Sequence, residues 1–181
     1  MKAAVIYESM YGNTHKIAQR IASGLSATLE VDVLSTADVA VQGLPQADLV
    51  VVGAPTHVHG MTRPRTRRAA VDAAADPDKH LHVDPSAQAP GVREWLGTLG
   101  SLHAWGACFD TRADGPAVLT GRASRGIAKQ LERRGCSLLA PPASFLVSKE
   151  NVLLPGEEER AEVWGRHLAR TMLGGQLAAA R

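Results

Sequence analysis

The chain's most chemically suggestive stretch is Ser9-Met10-Tyr11-Gly12-Asn13-Thr14. It stands between an apolar run, Ala3–Tyr7, and a helical pattern that begins near Thr14. A strand turning into a helix through small, uncharged, polar residues builds an anion site. The first helical amides lack internal partners, and the helix dipole is positive at that end. A phosphate is held there without a cationic side chain. Ser9, Asn13 and Thr14 would add side-chain donors, and Gly12 lets the backbone approach closely. The reading is a loop that holds the phosphate group of a ligand.

Two further stretches carry unusual polar residues: Pro55-Thr56-His57-Val58-His59-Gly60 and Phe109-Asp110-Thr111-Arg112. His57 and His59, like His80 and His82, are spaced so that a strand would put each pair on one face. No carboxylate or cysteine completes a ligand pattern around either pair, so no metal site is expected. A ligand-contacting role for His57 or His59 fits better, because imidazole titrates near neutral pH and can move protons. The only two cysteines, Cys108 and Cys136, lie far apart on apolar stretches and read as buried core thiols. No residue is assigned a catalytic role.

The positioning elements follow from periodicity. Strands are expected at Lys2–Tyr7, Val31–Leu34, Leu49–Ala54, His103–Phe109 and Ser137–Val147, the last interrupted by Pro141-Pro142 as suits an edge. Helices are expected at Asn13–Ser26, Ala37–Val41, Val92–Leu99, Ser124–Arg134 with Gly135 as its C-cap, and Gly156–Leu173, stopped by Gly174-Gly175. Asp110–Gly115 reads as a turn. Strands alternating with helices require a mostly parallel sheet covered on both faces, with ligands at the carboxyl ends of strands where chain order reverses. The three stretches above are the tips of the first, third and fourth strands. The chain reads as one domain over residues 1–173, with an insertion at about 62–90 and a tail at 174–181. The insertion carries Arg63, Arg65, Arg67, Arg68 and four prolines, with Ala69–Ala75 able to form a short helix. It reads equally as a lid, a dimer contact, a partner-docking segment or a disordered loop.

Composition sets limits. Hydrophobic residues make up 45%, above what a disordered chain carries. No apolar run reaches the roughly 20 residues of a membrane span, and no signal-peptide pattern opens the chain, so the cytoplasm is the expected setting and no membrane partner is expected. Net charge is +2, and no stripe has the basic periodicity of a nucleic-acid reader. The P-loop pattern G-x-x-x-x-G-K-[ST] and the dinucleotide pattern G-x-G-x-x-G are both missing after the first strand.

At this point the chain resembles flavodoxins and flavodoxin-like domains. The resemblance rests on Glu8-Ser9-Met10-Tyr11-Gly12-Asn13-Thr14, Gly53-Ala54-Pro55-Thr56 and Phe109-Asp110-Thr111-Arg112. The Ser-Met-Tyr-Gly-Asn-Thr run is also similar to the flavodoxin modules of flavodiiron proteins. The resemblance implies a flavodoxin-like three-layer α/β sandwich, with a five-stranded parallel sheet in the order 2-1-3-4-5. It implies FMN as cofactor. Ser9, Met10, Tyr11, Gly12, Asn13 and Thr14 would hold the phosphate. Pro55, Thr56, His57, Val58, His59 and Gly60 would lie against one face of the isoalloxazine ring. Phe109, Asp110, Thr111 and Arg112 would begin the loop on its other side.

The chain also differs from that family. The ring-side loops offer histidines and Phe109 where Trp or Tyr is common, and the chain lacks the strong acidity of the carrier flavodoxins. Arginines beside the ring loop predict a less negative second reduction potential, because positive charge favours an anionic reduced flavin. Three functions stay open. One is an electron carrier with a redox partner protein. The second is an FMN-dependent NAD(P)H:quinone or flavin reductase with a small-molecule acceptor. The third is a binding module that has lost FMN. Oligomeric state is not readable.

Overall fold

The computed structural model describes residues 1–179. In chain order the elements are β1 (Lys2–Tyr7), α1 (Asn13–Leu25), β2 (Glu30–Ser35), α2 (Thr36–Gln42), β3 (Leu49–His57), β4 (Gly60–Met61), α3 (Pro64–Ala74), α4 (Val92–Thr98), β5 (Trp105–Ala113), α5 (Ala117–Thr120), α6 (Ala123–Arg133), β6 (Ser137–Leu138), β7 (Ala143–Val147) and α7 (Glu157–Ala179). A single 3₁₀ turn, Pro77–Lys79, lies between α3 and α4.

The central sheet runs β2-β1-β3-β5, with β6 and β7 both parallel to β5. These two pieces are the expected fifth strand, broken where Pro141-Pro142 cannot donate to a ladder. Counted as one strand, they complete the 2-1-3-4-5 order of a flavodoxin-like fold. β4 pairs antiparallel with β3 and makes a hairpin that rises from the sheet edge.

Alternation along β1 builds two cores. Ala3, Val5 and Tyr7 face α1 and α7, while Ala4 and Ile6 face α4 and α6. On α1, Ile17, Ile21 and Leu25 recur at helical spacing and are fully buried, each contributing roughly 1.5–3 kcal/mol by burial. α1 and α7 meet closely at Gly24 and Gly165, where a Cβ on Gly165 would stand 2.3 Å from the Ile21 carbonyl oxygen. Cys108 and Cys136 are buried and free, as expected. Burial pushes the Cys108 thiol up to about 12.

Three expectations are corrected. Asp110–Ala113 continues β5 instead of turning, because it pairs with Ser144–Val147 of β7. Gly174-Gly175 does not stop α7, which continues to Ala179. A helical glycine costs about 1 kcal/mol, which adjoining turns can absorb when no left-handed cap forms. The expected tail is therefore helical over 174–179, and residues 180–181 lie outside the described residues. Residues 62–90 are built of α3, the 3₁₀ turn and ordered loops packed on the domain.

Among the described residues no helix is long and apolar enough to cross a membrane.

Candidate functional site

The tips of β1, β3 and β5 converge at the carboxyl edge of the sheet, around a cleft of about 240 Å³. Its walls include Met10, Tyr11, Asn13 and Thr14 from the first tip, Pro55, Thr56 and His57 from the second, and Thr111 and Arg112 from the third. A fourth segment, from Val147 at the end of β7 to Asn151, closes one side through Val147, Ser148, Lys149 and Asn151. The sequence reading missed this segment. Its signal was a polar run, Ser148-Lys149-Glu150-Asn151, directly after the apolar end of a strand.

At the first tip the chain makes a helix start without a cap. Gly12 is the N-cap residue, at φ 88°, and no side chain caps α1. Only glycine takes that backbone conformation without strain, and a Cβ there would meet open space. The Ser9 hydroxyl accepts from the Gly12 amide at 3.0 Å and so shapes the turn. No acidic residue lies in the first turn of α1, so its dipole is not compensated from within. The Thr14 and Thr111 hydroxyls are 2.7 Å apart. Their mutual bond uses one of two hydroxyl hydrogens and leaves the other for a ligand.

Other parts of this tip are engaged elsewhere. The Asn13 side-chain amide donates to the Asn151 carbonyl at 2.8 Å, so it ties the fourth segment to the first tip instead of standing free as a phosphate donor. The Met10 side chain is buried against Ala70 and Ala87. The Tyr11 hydroxyl donates to the Ala70 carbonyl at 2.8 Å, and the Asp84 amide donates to the Met10 carbonyl at 2.8 Å. The 62–90 insertion therefore buttresses the first tip from outside the cleft and contributes none of the cleft's lining residues.

The second tip divides. Pro55, Thr56 and His57 line the cleft, whereas Val58 and His59 form the hairpin turn at its rim and Gly60 begins β4, paired with His57. Val58 and His59 both have positive φ, 46° and 68°. For a β-branched residue that is a strained conformation. The Thr56 hydroxyl accepts from the Ala123 amide at 2.9 Å, at the start of α6. Burial lowers the His57 pKa, which favours the neutral imidazole.

The third tip divides as well. Thr111 and Arg112 line the cleft, but Phe109 and Asp110 are fully buried away from it. Phe109 packs edge-on to Phe145 and Trp164, beneath Gly53, because alternation along β5 turns it into the core. Asp110 accepts from the Ser124 amide at 2.8 Å and caps α6. Arg112 holds the 113–120 loop by donating to the Gly115 carbonyl at 2.7 Å and the Thr120 hydroxyl at 3.0 Å.

Beneath the first tip lies a buried polar network. Glu8 accepts from the Thr62 hydroxyl and from the Val92 amide, and Arg67 pairs with Glu94 at 2.8 Å while donating to Thr62. Burial raises the Glu8 pKa, against the hydrogen bonds from Thr62 and Val92 and the charge of Arg67, which lower it. Arg67 is thus committed to the interior and is not a free charge beside the ring loop, as its place in the sequence had suggested.

The flavodoxin family model matches residues 5–95. No curated protein sequence matches the chain. Among solved structures, the chain is similar to a flavodoxin from the domain Archaea, with 20% identity, a TM-score of 0.62, and coverage of 95% of this chain and 99% of that one. It is also similar to oxidised flavodoxin 1 of Bacillus cereus, at 17% identity and TM-score 0.62, covering 94% and 98%. A third is the Flv1 flavodiiron core of Synechocystis, at 18% identity and TM-score 0.61, covering 97% of this chain and 36% of that one. With its sheet order, its three converging strand tips and the matched residues, the chain belongs to the flavodoxin family.

Proposed function

We propose that the protein binds FMN in the cleft and serves as an electron-transfer protein. The observation that carries this reading is the uncapped start of α1 at Gly12, with no acidic first-turn residue and with the Thr14–Thr111 hydroxyl pair beside it. That donor set suits one phosphate: the lysine among the cleft walls, Lys149, stands on the fourth segment and not at the start of α1. Bound FMN would supply one- and two-electron redox chemistry. The first-turn amides, the Ser9 hydroxyl hydrogen and the Thr14–Thr111 pair would hold the phosphate. Pro55, Thr56 and His57 would bound one side of the ring, and Arg112 the other. His57, kept neutral by burial, would offer a proton acceptor or donor without adding charge.

The carrier role is favoured over the reductase role by the insertion. A lid that excludes water during turnover would need to line the cleft, and residues 62–90 instead pack behind the first tip.

The test is the visible spectrum of the purified protein, with FMN titration of wild type and Ser9→Ala/Thr14→Ala. A yellow protein or tight uptake of added FMN is expected. The double variant should bind at least about 100-fold more weakly, since each bond to a charged group contributes roughly 1.5–3 kcal/mol. A colourless protein that ignores added FMN, or an unchanged affinity in the variant, overturns the reading. Turnover of NADH or NADPH with a quinone, without a protein reductase, would replace the carrier with an enzyme.

A further inference from the structure

The charges of this chain are segregated. Residues 55–71 and 115–131 contain seven Lys and Arg and no Asp or Glu, although Arg67 among them is turned inward onto Glu94, and the rest of the chain carries 13 cations against 18 anions. The fold brings the hairpin end of the first segment, residues 57–63, against the second on one rim of the cleft. His59 in the hairpin turn bridges Gly121, and the Met61 side chain lies on Gly126, where a Cβ would be 3.0 Å from the Met61 methyl. The close approach at Gly121 is obligatory, because a Cβ there would sit 2.2 Å from the His59 Cα.

At the centre of this rim three apolar side chains stand in water. Val58 is 81% exposed, Val118 86% and Leu119 67%. The loop carrying the last two is held rigid by Arg112, so their exposure is built in. Arg63 and Arg125 are exposed beside them, and among the described residues neither forms an ion pair. Lys129 follows Arg125 by four residues on the same face of α6.

We propose that this rim is the docking face for an acidic protein partner. The inference rests on the electron-transfer reading, since the rim borders the cleft. Uncharged, preordered apolar contact at the centre with cations around it is the anatomy of a transient protein interface. The single sign of charge commits the partner: carboxylates facing the rim would be steered in and would set the register, while a cationic partner would be repelled. No Phe, Tyr or Trp lies among the residues of the two segments, so the rim lacks the large aromatic platforms of a base-stacking surface for nucleic acid.

The experiment is an amide chemical-shift titration of the full ¹⁵N-labelled chain, supplied with FMN. The probes are a purified acidic [2Fe–2S] ferredoxin and, as the opposite case, lysine-rich cytochrome c. Perturbations from the ferredoxin are expected around 57–63 and 117–125, fading as NaCl rises from about 20 to 300 mM. Arg63→Glu/Arg125→Glu should weaken that binding at least tenfold, with the melting temperature and flavin spectrum as controls for folding. Leu119→Ser, which leaves charge alone, should weaken it severalfold. Equal or stronger binding of cytochrome c at this rim, or perturbations elsewhere, would overturn the proposal. So would an unchanged affinity in the folded arginine variant. Salt-sensitive sedimentation with phosphatidylserine vesicles, without ferredoxin shifts, would replace the protein partner with a membrane. The flavin spectrum separates the two readings: a colourless protein that docks the ferredoxin loses the function but keeps the surface.

Discussion

The carboxylate of Glu8 accepts the Val92 amide at 2.8 Å, across 84 residues of chain. Its other oxygen accepts from Thr62, which also takes a bond from Arg67. One side chain at the end of β1 thus closes both the start and the finish of the 62–90 segment. Glu8→Ala would leave a buried N–H and O–H unsatisfied, and is expected to cost about 3 kcal/mol in urea unfolding. A loss below about 0.5 kcal/mol would show the network to be dispensable.

Glu8 also predicts a pH dependence. Its pKa is raised from its ordinary 4.5, so between those values the native state holds more protons than the unfolded state. Its contribution to stability is fully present below 4.5 and is lost as pH rises through the native value. Glu8→Gln removes this slope. The stability of wild type relative to Glu8→Gln should therefore decline as pH is raised across that window, and a rising difference would refute the assignment.

His57 carries the opposite sign. Burial depresses its pKa from 6.5, so the unfolded state binds the proton first as pH falls. Stability relative to His57→Gln should be complete above 6.5 and diminish as pH drops through the depressed native value. The ring-proton shift of His57 should titrate with a midpoint below 6.5, and a midpoint above it would contradict its burial in the cleft wall.

The hydroxyls of Thr14 and Thr111 give a fourth test. A double-mutant cycle with Thr14→Val and Thr111→Val should show a coupling of about 1 kcal/mol, as expected for one neutral hydrogen bond. Additive effects would mean that the two side chains act separately.

The helix contact at Gly24 and Gly165 gives a fifth. Gly165→Ala pushes a Cβ against the Ile21 backbone, which cannot swing aside as a flexible side chain can. A loss of about 3 kcal/mol is expected, at the upper end of overpacking costs. Thermal melts compared with Gly174→Ala, where nothing lies within 4 Å, would isolate the steric part.

The sequence was legible where a pattern is local. The unbroken apolar run Ala3–Tyr7 marked β1, because a strand buried on both faces needs no polar positions, and the helical spacing of Ile17, Ile21 and Leu25 marked α1, because burial on one face of a helix leaves a periodic trace. The small polar residues at Ser9–Thr14 were readable as an anion site because a helix start needs no distant partner. What escaped notice depends on contacts far apart in the chain. Phe109 and Asp110 sit beside Thr111 in sequence, yet pairing with β7 extends the strand and turns them into the core and onto α6. Asn13 looks like a phosphate donor until Asn151, 138 residues away, takes its amide. Arg67 looks like a surface charge until Glu94 and Thr62 are seen around it. The Val147–Asn151 segment was missed because its polar residues gain meaning only once β7 is known to lie beside β5.

The insertion's grip on Met10 and Tyr11 has a thermodynamic side. If docking of Ala70 and Asp84 favours the loop shape that accepts an anion, then an anion in the loop must favour that docking by the same factor. Ligand affinity and the order of residues 62–90 become one coupled equilibrium. Tyr11→Phe, which removes the bond to Ala70, should then loosen both together, and added ligand should protect the segment from proteolysis in proportion to its occupancy. The insertion would thus report whether the cleft is filled while standing outside it.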